Sequence, residues 1–224
     1  ELLDHGSMLA CGDGTNIVLP VPNAKLWSAE TPILYDCKVT LSIDNQLVDE
    51  MTETFGIQQI TWNSQGICVN GNTVLLRGGC LHHDNGILGA VCEDESEYRR
   101  VKILKDAGFN AIRSAHNPTS RAMLEACDRL GMYMIDEAWD MWFHHKNKYD
   151  YAKHWRSNYL KDLQAMVSRD YNHPSVIMYS IGNELSEPAK EDGITAAHKI
   201  INYLHQEDIT RPVTGGLNLM ILAS

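Results

Sequence analysis

Val176-Ile177-Met178-Tyr179-Ser180-Ile181-Gly182-Asn183-Glu184 is a short apolar run that ends in an amide and a carboxylate. Its β-branched, uncharged first half reads as a strand buried on both faces, so the polar pair falls where the strand stops. Pro188 follows, and then an amphipathic stretch from Ala189 to Gln206 with Ile194, Ala197, His198, Ile201 and Leu204 at helical spacing. Strand, polar loop and helix in that order form the repeating unit of an α/β protein. Such proteins place their chemistry at strand C-termini, although two solvated residues at a strand end fit this segment equally well.

The same unit repeats upstream. Asn70-Gly71-Asn72 is a hairpin signal delivering a strand from Thr73 to Arg77. Glu93 to Ala107 reads as a helix with Tyr98, Val101, Leu104 and Ala107 on one face and Gly108 as its stop, and Phe109 to Ser114 as the next strand. Pro118-Thr119 opens a helix that buries Met123, Leu124, Cys127 and Leu130 and ends at Gly131, followed by a strand from Met132 to Ile135. A polar and aromatic loop, Asp136 to Lys153, leads into a helix from Trp155 to Tyr171, and Pro212-Val213-Thr214 forms a fifth strand after the one first quoted. Repeated units of this spacing predict a parallel sheet. Without a Gly-x-Gly-x-x-Gly turn they fit the first part of a (β/α)8 barrel better than a dinucleotide-binding fold.

Before Phe55-Gly56 the texture is all-β. Residues 1–15 are rich in Gly, Asp and Ser and read as an unstructured lead-in. Ile17 to Leu19, Leu34 to Ile43 and Leu47 to Phe55 read as strands, the last two joined by an Asp44-Asn45 turn. Tyr35, Cys37, Val39, Leu41 and Ile43 alternate with polar residues, the mark of a sheet with one face wet. Three strands do not close a sandwich of about seven, so residues 1–56 predict the C-terminal part of an immunoglobulin-like β-sandwich.

Composition narrows the function. The chain has 224 residues, 44% hydrophobic and 21% charged, with no apolar run long enough to cross a bilayer and no signal-peptide pattern at its start. A formal net charge of -10 disfavours nucleic acid or an anionic membrane as partner and leaves neutral or cationic ligands. The six cysteines contain no C-x-x-C pair and read as free thiols, which assigns no compartment.

If the barrel reading holds, the strand C-termini converge, and they are polar. The first offers His82-His83-Asp84, the second Arg113 and His116-Asn117, the third Asp136-Glu137, and the fourth Asn183-Glu184. Two chemistries suit them. One carboxylic acid can protonate a glycosidic oxygen while a second carboxylate attacks the anomeric carbon. Alternatively His82, His83, His116 and Asp136 can hold a divalent metal that activates water, a reading weakened because adjacent residues on an extended strand point to opposite sides. Trp139, Trp142 and Phe143 favour the first chemistry as platforms for a sugar face, with plain loop packing as the competing explanation.

Several motifs resemble the family 2 glycoside hydrolases, most closely the β-galactosidase type. They are Leu26-Trp27-Ser28-Ala29-Glu30-Thr31-Pro32 with Leu34-Tyr35, Phe55-Gly56-Ile57, Val69-Asn70-Gly71, Leu76-Arg77-Gly78-Gly79 and His82-His83-Asp84. The series continues with residues 109–118 (FNAIRSAHNP), Cys127-Asp128-Arg129-Leu130-Gly131, Ile135-Asp136-Glu137-Ala138 and Gly182-Asn183-Glu184. The resemblance implies a retaining glycosidase whose sandwich domains precede a catalytic barrel, here 1–56 and 57–224. It gives Glu184 the role of general acid/base, Asn183 that of a ligand to the sugar 2-hydroxyl, and Arg113 a place near the nucleophile. His82, Asp84 and His116 match positions lining the sugar subsite, and Asp136 and Trp139 join them at the third strand end. It implies a carbohydrate substrate and no cofactor.

Departures accompany the match. Gln58 stands where the family usually has Arg, and the family's nucleophile is a glutamate on the seventh barrel strand, matched by neither Glu137 nor Glu187. The chain is therefore expected to be a fragment, inactive alone, whose exposed apolar faces favour self-association. β-Glucuronidase and β-mannosidase specificity stay open. A metal-dependent barrel hydrolase and a non-catalytic carbohydrate-binding barrel are the alternatives from other classes.

Overall fold

The structure is a computed structural model and describes residues 1–218 and 220, so the last positions of the 57–224 segment, 219 and 221–224, lie outside the described residues. Its first unit is an antiparallel sheet of β1 (Leu2–Asp4), β2 (Ser7–Ala10), β3 (Tyr35–Ile43) and β4 (Gln46–Phe55), in the order β2-β1-β3-β4. Asp44 and Asn45 take φ of 51° and 61°, the left-handed pair that a two-residue hairpin requires.

Two sequence expectations fail in this unit. Residues 1–15 are not an unstructured lead-in, because His5 (φ 48°) and Gly6 (φ 80°) fold β1 and β2 into a hairpin whose β1 pairs with β3. Strands of three and four residues are too short to show a period. Ile17 to Leu19 forms no strand: Val18 is 90% exposed, and the flanking Pro20 and Pro22 carry no N–H to donate to a ladder. The alternation on β3 also buries less than expected. Tyr35 is buried and Cys37 half-buried, whereas Val39, Leu41 and Ile43 are exposed, with no described residue covering that face.

A small sheet of β5 (Ile60–Asn63), β6 (Gly66–Val69) and β7 (Asn72–Thr73) follows. The Asn70-Gly71 turn is present, but the strand after it is only two residues long. The first strand of the parallel sheet is β8 (Gly78–His82) rather than Thr73–Arg77. Consecutive glycines read as a break in a strand, yet Gly78 is needed here, since a Cβ would lie 2.4 Å from the Ala111 carbonyl oxygen. Trp27, fully buried, joins the sandwich strands to the barrel segment: its indole N–H donates to the Asp128 carbonyl at 2.9 Å and its ring meets Tyr133 edge-on at 5.8 Å. Gln58 contributes here too, its side-chain amide donating to the Pro174 carbonyl at 2.6 Å.

The remaining elements alternate: β8, α1 (Asp94–Asp106), β9 (Ala111–Ala115), α2 (Arg121–Leu130), β10 (Tyr133–Glu137), α3 (Ala152–Asp170), β11 (Val176–Ser180), α4 (Glu191–Glu207) and β12 (Val213–Thr214). The strands form one parallel sheet in the sequential order β8-β9-β10-β11-β12, which is how consecutive units lie in a (β/α)8 barrel. Val176, Ile177 and Tyr179 are wholly buried, as the apolar run requires. No described helix is long and apolar enough to cross a membrane.

Helix boundaries shift for identifiable reasons. α2 begins after Ser120, whose hydroxyl accepts from Met123 N at 3.1 Å, so Pro118-Thr119 stays in the preceding loop. Gly131 (φ 72°) ends it as expected, and a Cβ there would also strike the Ala29 carbonyl. On α4 the inward face is centred on Ile200 and Leu204. Ile194 and His198, read from the sequence as inward, are exposed.

Candidate active site

Alternation along the strands sorts the polar residues into two sets. Ile135 pairs with Arg113 and Glu137 with Ser180, so Arg113, Glu137 and Ser180 share one face of the sheet, while Ser114 and Asp136 share the other. On the first face Glu137, wholly buried, is held by three side chains. Arg113 gives Nε to Oε2 at 2.9 Å and Nη2 to Oε1 at 3.0 Å, Ser180 Oγ donates to Oε2 at 2.7 Å, and His116 Nδ1 lies 2.8 Å from Oε1. Burial alone would weaken the Arg113 charge, but the bonds and field of Glu137 outweigh it and raise the guanidinium pKa.

Arg113 Nη2 also donates to Asn183 Oδ1 at 2.9 Å. The Asn183 amide is fixed on its other side by Asp140 Oδ1 at 2.9 Å, and its backbone N–H donates to the Trp139 carbonyl at 3.1 Å. Burial pushes the Asp140 carboxyl up, yet bonds from Lys146 and Asn183 hold it below the usual carboxylate range. Glu184 follows at once, exposed, with φ 44°, a left-handed value that costs a non-glycine residue about 1–3 kcal/mol and persists only where the surroundings impose it. The His82 and His116 rings meet edge-on at 5.1 Å. Thus His82, Arg113, His116, Asn183 and Glu184 gather at one end of the sheet, as the strand-end reading required.

Beside them opens a cavity of about 950 Å³ lined by His82, His116, Trp139, Asp140, Tyr151 and Arg169 among others. Asp162 Oδ2 accepts from Trp139 Nε1 at 3.1 Å and from Tyr151 OH at 2.8 Å, and burial together with this carboxylate pushes the Tyr151 phenol up to about 12. Of the three aromatics expected to face a sugar, only Trp139 lines this cavity. Trp142 is fully buried, stacks on Trp155 at 5.6 Å and donates to the Ile181 carbonyl, while Phe143 packs beneath the Arg156 guanidinium.

Two further residues are placed differently from the sequence expectation. Asp84 is exposed, and its Oδ1 accepts from Gly86 N at 3.0 Å, capping its own turn. Asp136 lies on the second face, fully buried, with Oδ1 accepting from Ser114 Oγ and Thr119 N and Oδ2 facing Arg169 Nη2 at 2.5 Å. With Asp136 committed, the metal set considered above is broken, and among the described residues no three His, Cys, Asp or Glu side chains are arranged to hold a metal ion. The structure adds Glu137, Ser180, Asp140 and Lys146 to the site. The sequence reading placed Glu137 at the third strand end but carried its neighbour Asp136 forward as the site residue, and it missed Ser180, Asp140 and Lys146. Parity carried the signal for the first two, since Glu137 and Ser180 must share the Arg113 face once the strands pair in register.

Behind Asp136 lies a second buried acid. Asp170 bonds Arg169 Nε through Oδ1 at 2.7 Å, and its Oδ2 has no hydrogen-bond partner among the described residues. Burial and the nearby Asp136 charge hold its carboxyl well above the usual range, against the pull of Arg169. A carboxyl with a raised folded-state pKa binds its proton more tightly in the folded protein. The stability it contributes is complete below the ordinary carboxylate range and is lost as pH rises through the raised value. Urea unfolding of the full-length gene product followed across that window should show stability falling with pH, and Asp170→Asn, a neutral isostere, should remove that component of the slope. An unchanged slope would mean that Asp170 is ionised in the fold.

A parallel (β/α)8-type sheet with polar side chains gathered at its strand C-termini, preceded by sandwich strands, defines a segment of a (β/α)8 barrel protein. Residues 60–218 match the glycosyl hydrolases family 2 TIM barrel domain and residues 5–58 match a second family 2 model. The chain belongs to glycosyl hydrolase family 2. It is 37% identical over 197 residues to the beta-galactosidase BoGH2A of Bacteroides ovatus, a match covering 85% of this chain and 23% of that protein. Among solved structures, a family 2 member from Bacteroides cellulosilyticus DSM 14838 superposes with a TM-score of 0.86 at 38% identity, covering 99% of this chain and 32% of that one. The beta-D-glucuronidase of Dictyoglomus thermophilum gives 0.85 at 26% identity, covering 96% and 38%. The chain thus spans well under half of each relative.

Proposed function

We propose that the full-length gene product is a retaining glycosidase that removes a terminal β-linked sugar, galactose first. The observation that carries this reading is Glu184, an exposed carboxyl at the end of β11 in a strained conformation, next to an asparagine fixed from three sides. In this reading Glu184 protonates the leaving oxygen and afterwards activates water. Asn183 keeps one amide hydrogen and one oxygen lone pair beyond its bonds to Asp140 and Arg113, enough to reach a sugar 2-hydroxyl. Galactose leads because the beta-galactosidase of B. ovatus is the more similar named relative. A glucuronide is the competing substrate, supported by the D. thermophilum neighbour.

A retaining enzyme needs a second carboxylate about 5 Å from the first to form the covalent intermediate. Glu137 has both oxygens engaged by Arg113, Ser180 and His116. Glu187 is 2% exposed and accepts from the backbone of Trp142, His144 and Ser186. Neither is free to attack. Residues 1–224 alone should therefore release no measurable nitrophenol from a nitrophenyl β-galactoside, whereas the full-length product should prefer that substrate to the matching glucuronide and mannoside in kcat/KM. A preference for the glucuronide would replace the galactose assignment. Turnover by residues 1–224 alone would place the nucleophile inside this chain.

A further inference from the structure

We propose that Lys146 is a positioning residue for Glu184, its ammonium locking the peptide that carries the acid/base. This rests on the role proposed for Glu184. Lys146 lies in the long loop between β10 and α3, and its Nζ donates to the Asp140 carbonyl at 2.8 Å, to Asp140 Oδ1 at 2.8 Å and to the Asn183 carbonyl at 2.9 Å. An ammonium has three hydrogens, so all of its donors are used. The Asn183 carbonyl belongs to the peptide bond that leads into Glu184.

The backbone on either side of Glu184 is tied by other backbone. Gly216 N donates to the Gly182 carbonyl and Leu185 N to the Gly216 carbonyl, both at 2.8 Å, so the segment after β12 fixes residues 182 and 185 from one side. On the side of the β10 loop the Asn183 N–H is tied to the Trp139 carbonyl, while the Asn183 carbonyl, on the peptide that leads into Glu184, is held by a side chain, the Lys146 ammonium. The same ammonium holds Asp140, which orients the Asn183 amide. Two site elements, the β10 loop at Asp140 and the Asn183–Glu184 peptide, therefore meet on one nitrogen, which reaches the Asn183 amide through Asp140. Glu184 sits in a left-handed conformation that only its surroundings maintain, so releasing one tether gives its carboxyl freedom to leave the reactive geometry.

A structural role for Lys146 in the loop is separable from this one. The loop backbone is pinned independently by Asp150, whose Oδ2 accepts from Lys146 N at 2.7 Å and Asn147 N at 2.8 Å, and whose Oδ1 accepts from Ala152 N at 3.1 Å. Lys146→Met keeps those backbone bonds and the apolar stem and removes only the ammonium.

In the full-length gene product, Lys146→Met should lower kcat for methyl β-galactoside on the order of 10²-fold with KM little changed, as expected when a catalytic group is misplaced while substrate binding is kept. The loss should be much smaller for dinitrophenyl β-galactoside, whose leaving group needs no proton. In a Glu184→Gln background the Lys146 substitution should add little on the methyl glycoside, because both act through one group. Equal loss on the two substrates, a change confined to KM, or full additivity with Glu184→Gln would overturn the proposal. Selective loss in Glu184→Gln with none in Lys146→Met would overturn it alone. No selectivity in Glu184→Gln itself would overturn the reading of Glu184 and this proposal with it.

Discussion

Glu184→Gln in the full-length gene product should lower turnover of methyl β-galactoside about 10²–10⁴-fold, the range ordinarily supplied by a positioned general acid. The amide keeps the size and backbone of the glutamate but has no proton to give an alkoxide. Dinitrophenolate leaves without help, so the first step on a dinitrophenyl glycoside should survive, and the slowed step becomes attack of water on the glycosyl-enzyme. Azide, a nucleophile that needs no base, should restore turnover of that substrate and yield a glycosyl azide of retained configuration. The measurements are steady-state kcat and kcat/KM on the two glycosides with and without azide. Loss by the same factor on both, with no rescue, would leave Glu184 a binding or structural residue.

The sequence carried the fold where periodicity was long enough to read. The β9-to-α4 repeat and the Asp44-Asn45 hairpin were legible because apolar spacing and turn chemistry agree. What escaped was short or governed by distant packing. The β1-β2 hairpin is seven strand residues, and β8 begins at two glycines, the first of which, Gly78, serves a close approach to Ala111 that exists only in three dimensions. In the site, Arg113, His116, Asn183 and Glu184 were found as strand ends, yet Asp136 was chosen beside Glu137 without asking which one faces Arg113. The pairing of β9 with β10 answers that question. Asp140 and Lys146 lie in an irregular loop, where no period constrains direction, and only the fold brings Lys146 to the Asn183 carbonyl.

The second large effect concerns stability. Arg113→Met should destabilise the full-length product by about 3–5 kcal/mol, because it strips a wholly buried carboxylate of the charge that compensates it. Ser180 and His116 still bond Glu137, but neither supplies the two parallel N–H donors of the guanidinium. The reverse deletion should cost less. Glu137→Gln removes the buried charge and keeps an oxygen acceptor for Arg113, whose side chain is 27% exposed and can be solvated in part. The double variant Arg113→Met/Glu137→Gln should therefore be more stable than Arg113→Met alone, since the costly species is the unpaired carboxylate rather than the missing pair. Urea unfolding of the three variants at one pH measures the order. If Glu137→Gln is the more damaging single change, or if the double variant simply sums the two, the pair is not the electrostatic centre of this strand end. Glu137 would then be held by Ser180 and His116, and the Arg113 guanidinium would be available to a ligand instead.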